Sequence, residues 1–375
     1  MKIPLANHRS GIALVIVMIV ITMFSIMVGG FAYTMKVETK LARNSVFDAE
    51  MDWMGRSGVE LARYVLGQQR NIPNQPYDAL NQKWAGAELT NGLLSDITLQ
   101  GLPLGNGTIS VKIVDAERRF NVNVADETIL EQSLMLMGLD AAETPSIISS
   151  IQDWRDRDEQ VRNNGAESDY YQSLMPPYNA KNGPLDDLEE LLRIKGVTPE
   201  MYYGPRYTGP PTIPRPGKFR VGFNAMEPDQ PMFSVGLSEI FCVFSSRLIN
   251  VNTASANVLQ LIPNLDENMA AAIITYRAGL DGVEGNDDDT PFRSIGEVMR
   301  VPGIDPMVAR TMVNYCSTQS TTFEVEVDVQ VDNRHRTYLA IVRRLDQKNL
   351  PMLRFYWKPG GGSESGGSRA MRIAE

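Results

Sequence analysis

Histidine and cysteine are scarce in this chain of 375 residues, which has two of each: His8, His335, Cys242 and Cys316. So few imidazoles leave little material for acid–base catalysis or a histidine-rich zinc site. The cysteines lie too far apart for a CxxC redox or zinc motif, although in an oxidising compartment Cys242 and Cys316 could pair. Cations are outnumbered too, 36 Lys and Arg against 45 Asp and Glu, for a formal charge of −9. A nucleic-acid binder displaces counterions from phosphates with Lys and Arg, so this balance counts against one. The chain contains no Gly-x-Ser-x-Gly elbow, no His-Glu-x-x-His pair and no Gly-Lys-Ser/Thr phosphate loop. These absences favour an assembly component over an enzyme.

What is present begins at the N-terminus. Ser10 to Met35 carries no charged residue. About 26 helical residues exceed the roughly 30 Å hydrocarbon core of a bilayer. The run is too long for an ordinary secretory signal, and no small-x-small cleavage site follows it. Lys2 and Arg9 in front favour a cytoplasmic N-terminus, while Lys36, Lys40 and Arg43 behind weaken that asymmetry. One reading is an uncleaved signal anchor in an inner membrane, with one span and an exported head. The leader also resembles that of a type IV prepilin, because Gly11 stands before the apolar run and not after it. That resemblance implies cleavage after Gly11, a mature chain starting at Ile12, and methylation there. Such proteins usually place a glutamate at the fifth mature position, and here that position is Ile16.

Apolar residues from Val37 to Val65 recur at helical spacing among Glu38, Asp48, Asp52, Arg56 and Arg63, until Asn71-Ile-Pro73 breaks the pattern. The pattern predicts one helix, partly in lipid and partly laid on a head. Gly107 to Val114 alternates as a strand, with Arg119 to Val124 as its expected partner. Phe323, Val325, Val327, Val329 and Val331 alternate strictly with polar residues, the signature of a strand with one buried face. Thr337 to Arg343 and Leu353 to Trp357 continue the sheet.

Between those strands, four sites show an apolar helix end, a glycine or proline turn, and polar residues suited to start a second helix. They centre on Gly138, Gly196, Pro263 and Gly303, and they resemble helix-hairpin-helix units in two pairs. The expected class is α+β: a long N-terminal helix on a small antiparallel sheet, with a large inserted helical domain. The expected segments are a leader (1–11), a pilin-type helix (12–70), a sheet domain (71–124 and 320–359), a helical insertion (125–319, in halves 125–205 and 250–319) and a flexible tail (360–375).

Carboxylates cluster at Asp153, Asp156, Asp158 and Glu159, followed by Glu167 and Asp169. Hard oxygen ligands in an irregular loop suit calcium, but the spacing is not that of an EF-hand. Asp153 and Asp156 share a face only if helical, so a metal cluster needs a helix end running into a loop. Alternatively, Arg155, Arg157 and Arg162 screen a merely solvated loop. A second acidic loop spans Asp281 to Asp289 and admits the same two readings. Hairpin amides can grip phosphates, which raises a DNA-uptake or nucleic-acid-binding alternative. Asp140, Asp266, Glu267 and Asp305 beside these turns would repel a phosphate.

Taken in order, several segments resemble one family, the minor pseudopilin K of bacterial type II secretion systems. They are the leader with Gly11 and Ile16, Arg119-Phe-Asn121-Val-Asn123, and Asp153-Trp-Arg-Asp-Arg-Asp158. Next come Gly165-Ala-Glu167, Tyr171, Pro176-Pro-Tyr178, Asn182 and Leu188-Glu-Glu190-Leu. Ile249-Asn-Val-Asn252-Thr-Ala254 and Phe355-Tyr-Trp357 complete the set. The resemblance implies a non-enzymatic subunit that caps the pseudopilus and helps to initiate it. It implies an anchor in the inner membrane, N-terminus in the cytoplasm and head in the periplasm. The implied partners are the other minor pseudopilins of the tip complex, the prepilin peptidase, the inner-membrane secretion platform and the bilayer, with no nucleic acid. A structural calcium ion in the helical domain is implied as well, with Asp153, Asp156, Asp158 and Glu167 as the metal positions.

Overall fold

The computed structural model describes residues 10–87, 94–207 and 233–358. Leader residues 1–9, most of the proline-rich stretch after Gly204 and the glycine- and serine-rich tail lie outside the described residues. The chain opens with helix α1 (Ser10–Gln69), then strands β1 (Leu102–Leu104), β2 (Gly107–Asp115) and β3 (Phe120–Asn121). Helices α2 (Glu127–Met137), α3 (Thr144–Arg155), α4 (Ser168–Gln172), α5 (Pro199–Tyr203) and α6 (Leu237–Ile240) follow. After β4 (Phe241–Cys242) and β5 (Ile249–Asn250) come α7 (Ala256–Leu259), α8 (Glu267–Arg277) and α9 (Pro306–Met312). The last strands are β6 (Cys316–Ser317), β7 (Thr322–Val331), β8 (Arg334–Arg343) and β9 (Met352–Lys358).

Helix α1 is long and apolar enough to cross a membrane, and its apolar window is nowhere buried in the head. From Met51 onward the helix has a buried face: Met51, Met54, Val59, Ala62, Val65 and Leu66 are buried. They face Val325, Val327, Val329 and Val331 of β7. Two glycines set that approach. A Cβ on Gly58 would lie 2.4 Å from Val327 Cγ1, and one on Gly55 would lie 2.6 Å from Tyr338 Cδ2.

The sheet has the order β1-β2-β7-β8-β9, antiparallel throughout. The pairing of β2 with β7 runs from Gly107 opposite Val331 to Asp115 opposite Phe323. Its two ends are distinguishable. Near the membrane span, Arg334 bonds Asn44 Oδ1 at 2.7 Å and Arg336 bonds Asp48 Oδ1 at 2.7 Å. At the far end, Arg344 donates to Leu66 O at 3.3 Å and Arg70 to Gln319 Oε1 at 3.0 Å. The chain leaves the sheet at Asp115 and returns at Thr322, so the helical insertion hangs from the pole opposite the span.

The expected partner strand at Arg119 to Val124 is not in this sheet. Phe120 and Asn121 pair in parallel with Phe241 and Cys242, and Phe120 and Val122 belong to the helical core. The asparagines cause this: Asn121 Oδ1 accepts from Asn123 N at 2.9 Å, and Asn123 Oδ1 accepts from Leu185 N at 2.7 Å. The first is a local turn and the second a long-range tie to the insertion, and together they draw the backbone out of a ladder. The boundary therefore falls near Arg119, earlier than the expected 124. The true neighbour of β2 on that side is β1, joined by the two-residue loop Gly105-Asn106 with Gly105 at φ +57°, a hairpin geometry suited to glycine first.

The head has two hydrophobic cores, one between α1 and the sheet and one inside the insertion. A buried polar clasp joins them. Asp115 Oδ2 accepts from Asn250 at 3.0 Å, Thr253 at 2.6 Å and Ser320 at 2.6 Å, and Oδ1 accepts from Glu117 N at 2.8 Å. Buried Arg344 pairs with Asp78 and donates to Ser320 O at 2.6 Å. Glu117 accepts from Thr321 Oγ1 at 2.6 Å, Thr321 N at 3.0 Å and Ser246 N at 3.3 Å.

The possible Cys242–Cys316 disulfide is absent from this structure. Cys242 and Cys316 are both buried free thiols, and burial pushes both above the usual thiol range. They belong to different two-stranded ladders. Cys242 is held by Ala116 O at 3.4 Å and Ser245 Oγ at 2.8 Å, while Cys316 lies opposite Ile249.

Candidate metal site and helical hairpins

Helix α3 packs Ile147, Ile148, Ile151 and Trp154 into the insertion core and ends at Arg155. Its last turn thereby places Asp153 inside, fully buried, and leaves Asp156 at the helix end in extended backbone. The chain then loops back so that Glu167 precedes α4. This is the helix end running into a loop that a carboxylate cluster requires. Asp153, Asp156 and Glu167 bring one oxygen each within 4.8 Å of one another.

Glycine closes the loop. A Cβ on Gly165 would lie 2.0 Å from Asp153 Oδ2, so no other residue lets the backbone pass there. Asp153 Oδ2 instead accepts from Ala166 N at 2.9 Å and Arg162 N at 3.2 Å. Lys195, from the second hairpin, donates to Gly165 O at 2.9 Å and Asn164 O at 3.2 Å. Below the site, Trp154 meets Tyr171 edge-on at 5.2 Å, and Tyr171 stacks on Tyr178 at 5.3 Å.

The electrostatics are unbalanced. Among the described residues only Arg162 screens the acids, bridging Asp153 at 3.0 Å and Asp156. Arg155, expected to screen them as well, donates to Val122 O and to Ala125 O at 3.1 Å. Glu167 is 2 % exposed, yet neither of its carboxyl oxygens has a hydrogen-bond partner, and Asp156 Oδ1 is orphaned too. Burial first, then the charges of Asp153, Asp156, Glu159 and Asp158, push Glu167 up to about 7. Buried oxygens without donors are rare in native proteins. Three hard oxygens at one point, two of them from orphaned groups, fit a divalent cation of the calcium type.

Asp158 does not join the cluster: its Oδ1 accepts from Gln160 N at 2.9 Å in a local turn. Glu159 turns away to Ser168 Oγ at 3.0 Å and Asn182 Nδ2 at 2.9 Å. Sequence reasoning missed Gly165 as the cradle and Arg162 as the lone counter-charge. Gly165-Ala-Glu167 carried the signal for the first. The loop at Asp281 to Asp289 closes on itself: Asp288 Oδ2 accepts from Leu280 N at 2.9 Å, Asp289 Oδ2 from Gly285 N at 2.8 Å, and Glu284 pairs with Arg277 at 2.5 Å.

All four hairpin turns are present. Gly138, Gly196, Asn264 and Gly303 take left-handed backbone at φ between +64° and +89°. Asp266 and Asp305 accept from Met269 N at 2.8 Å and Met307 N at 2.7 Å, capping the helices that follow. In the second pair, carboxylates thus already hold the amides that a phosphate would need.

Comparisons with known proteins agree with this architecture. Residues 110–204 match the family described as type II secretion system, protein K, and residues 245–317 match the helix-hairpin-helix motif. The chain is 23% identical over 256 residues to type II secretion system protein K of Aeromonas hydrophila, covering 62% of this chain and 72% of that one. It is 23% identical over 304 residues to the Pectobacterium carotovorum subsp. carotovorum protein of the same name, covering 72% and 86%. The GspK-GspI-GspJ complex from the type 2 secretion system of enterotoxigenic Escherichia coli contains a similar fold. There the TM-score is 0.61 at 17% identity, over 85% of this chain and 99% of that one.

Proposed function

The chain belongs to the type II secretion system protein K family, the minor pseudopilins, and from that premise we propose that it caps and helps to initiate the pseudopilus. The observation that carries this reading is the placement of the insertion at the sheet pole opposite the membrane span. In a shaft of parallel α1 helices, that pole is where the next head would have to sit. A bulky helical domain there fits a subunit with nothing above it.

Ile16 supports the same reading. A carboxylate in a bilayer or helix bundle is costly unless paired. A tip subunit has no protomer above it to supply the partner ammonium, so an apolar residue avoids the cost. The N-terminus is cut after Gly11 by the prepilin peptidase, leaving Ile12 first, and the head then faces the periplasm. GspI and GspJ accompany GspK in the similar solved complex, so the equivalent minor pseudopilins are the expected partners here, above the inner-membrane platform.

Calcium is the ion proposed for Asp153, Asp156 and Glu167. It would supply positive charge to a loop that otherwise has only Arg162 and would hold α3 against α4; its part is structural. Native mass spectrometry of the head with its two companion minor pseudopilins tests the assembly. One copy of each is expected, and several copies of this chain in a linear stack would defeat the proposal.

A further inference from the structure

The short stretch of α1 between the uncharged run and the head has a use that filament capping does not explain. Lys36, Lys40 and Arg43 are exposed there, and among the described residues none makes a hydrogen bond or ion pair. The acids higher on the helix are engaged, Asp48 with Arg336, Asp52 with Tyr338 and Glu50 with Asn106. At about 100° per residue, the three cations and Phe47 fall within an arc of about 60° on the helix. Arg334 extends the row from the sheet: its guanidinium lies 4.4 Å over the Phe47 ring and bonds Asn44 Oδ1 at 2.7 Å. Glu38 lies on the opposite face by the same geometry.

We propose that this stripe is a binding surface for the phosphates of anionic phospholipids in the leaflet beneath the head. The inference rests on reading α1 as a membrane span. Lys36 directly follows the uncharged run, so the stripe starts at the edge of the hydrocarbon. From there to Arg43 the helix rises about 10 Å, enough to cross a headgroup layer of roughly 5–8 Å. Cations at this end oppose the bias that keeps an N-terminus inside, so they do not serve orientation. Juxtamembrane Lys and Arg attract anionic headgroups, at about fivefold in affinity for each residue near the surface. The stripe thereby holds the subunit at a fixed height in the bilayer and opposes its extraction.

The test uses the full chain excised from membranes in polymer-bounded native-lipid discs, with retained phospholipids quantified by mass spectrometry. The wild type should retain anionic phospholipid above the bulk membrane fraction, and less of it at high salt. Lys36→Gln, Lys40→Gln and Arg43→Gln combined should return the discs to the bulk ratio. Lys36→Arg with Lys40→Arg should keep the enrichment, because charge is preserved. Equal lipid composition in wild type and triple variant overturns the proposal. So does an unchanged lipid shell accompanied by lost crosslinking to a neighbouring pseudopilin, since the stripe would then face protein. A chain found only in the soluble fraction overturns the membrane span itself, and the stripe with it.

Discussion

Two buried acidic clusters in this head resolve the same problem differently. Each holds a glutamate pushed up to about 7, Glu117 in the clasp and Glu167 in the loop after α3. In the clasp, all four oxygens of Asp115 and Glu117 accept hydrogen bonds from the two domains they join. In the loop, both oxygens of Glu167 and one of Asp156 have no donor. A desolvated carboxylate needs either donors or a counter-charge. The clasp is complete as protein alone, whereas the loop leaves acceptors that the proposed cation would satisfy.

The largest effect is expected at the clasp. Asp115→Ala removes the acceptor shared by Asn250, Thr253 and Ser320. It leaves the Ser320 donor unpaired, Thr253 with one long bond, and Asn250 with Asp78 O and Ser320 Oγ. Weakening so buried a network should cost about 3 kcal/mol. Denaturant unfolding should show that loss equally in calcium and in chelator. A loss confined to chelator would make the two clusters one system.

Next in size is the response to calcium. An ion at 100 times its dissociation constant adds about 2.7 kcal/mol to a native state that alone binds it. Glu167→Gln should abolish that gain, and in chelator at pH 8 it should stabilise the chain by about 1–3 kcal/mol through relief of a buried charge. Calorimetry in both conditions checks it. An undiminished calcium response in the variant would place the ion elsewhere.

The pH dependence separates the two glutamates. Each folded value lies above the ordinary 4.5, so their stabilising contribution is full below about 4.5 and is lost as pH rises through about 7. Each group then contributes a slope of at most about 1.4 kcal/mol per pH unit in chelator. Calcium should remove the Glu167 share and Glu117→Gln the Glu117 share, leaving that of Asp115 and Asp289, which burial raises as well. A single slope insensitive to calcium would contradict the distinction. The smallest effect belongs to Asp158→Asn, expected within about 0.5 kcal/mol and with calcium affinity unchanged, because Asp158 only holds a local turn.

Period and punctuation made much of this molecule readable. The break at Asn71-Ile-Pro73 marked the end of α1 to within two residues, and the alternation from Phe323 to Val331 marked β7. Gly138, Gly196 and Gly303 marked three hairpins because left-handed backbone favours glycine, and Pro263 marked the other, whose left-handed residue is Asn264. What failed was decided by long-range partners. Phe120 to Val124 alternates like a strand, but Asn123 reaches Leu185, 62 residues away, and draws it into the helical core. The candidate metal loop was legible as a carboxylate set, yet spacing does not reveal which acid turns inward. Asp153 does so because it lies on the α3 face of Ser146 and Ser150, which the returning loop covers, and Asp158 does not because α3 has already ended.

The clasp matters to the proposed capping role because a cap would work only if its helical domain stays fixed over the distal pole. The most direct measurement is the position of this subunit on isolated pseudopili, by electron microscopy of filaments carrying a gold-tagged copy. One label at one end of each filament is the predicted result. Labels repeated at regular intervals along the shaft would contradict it.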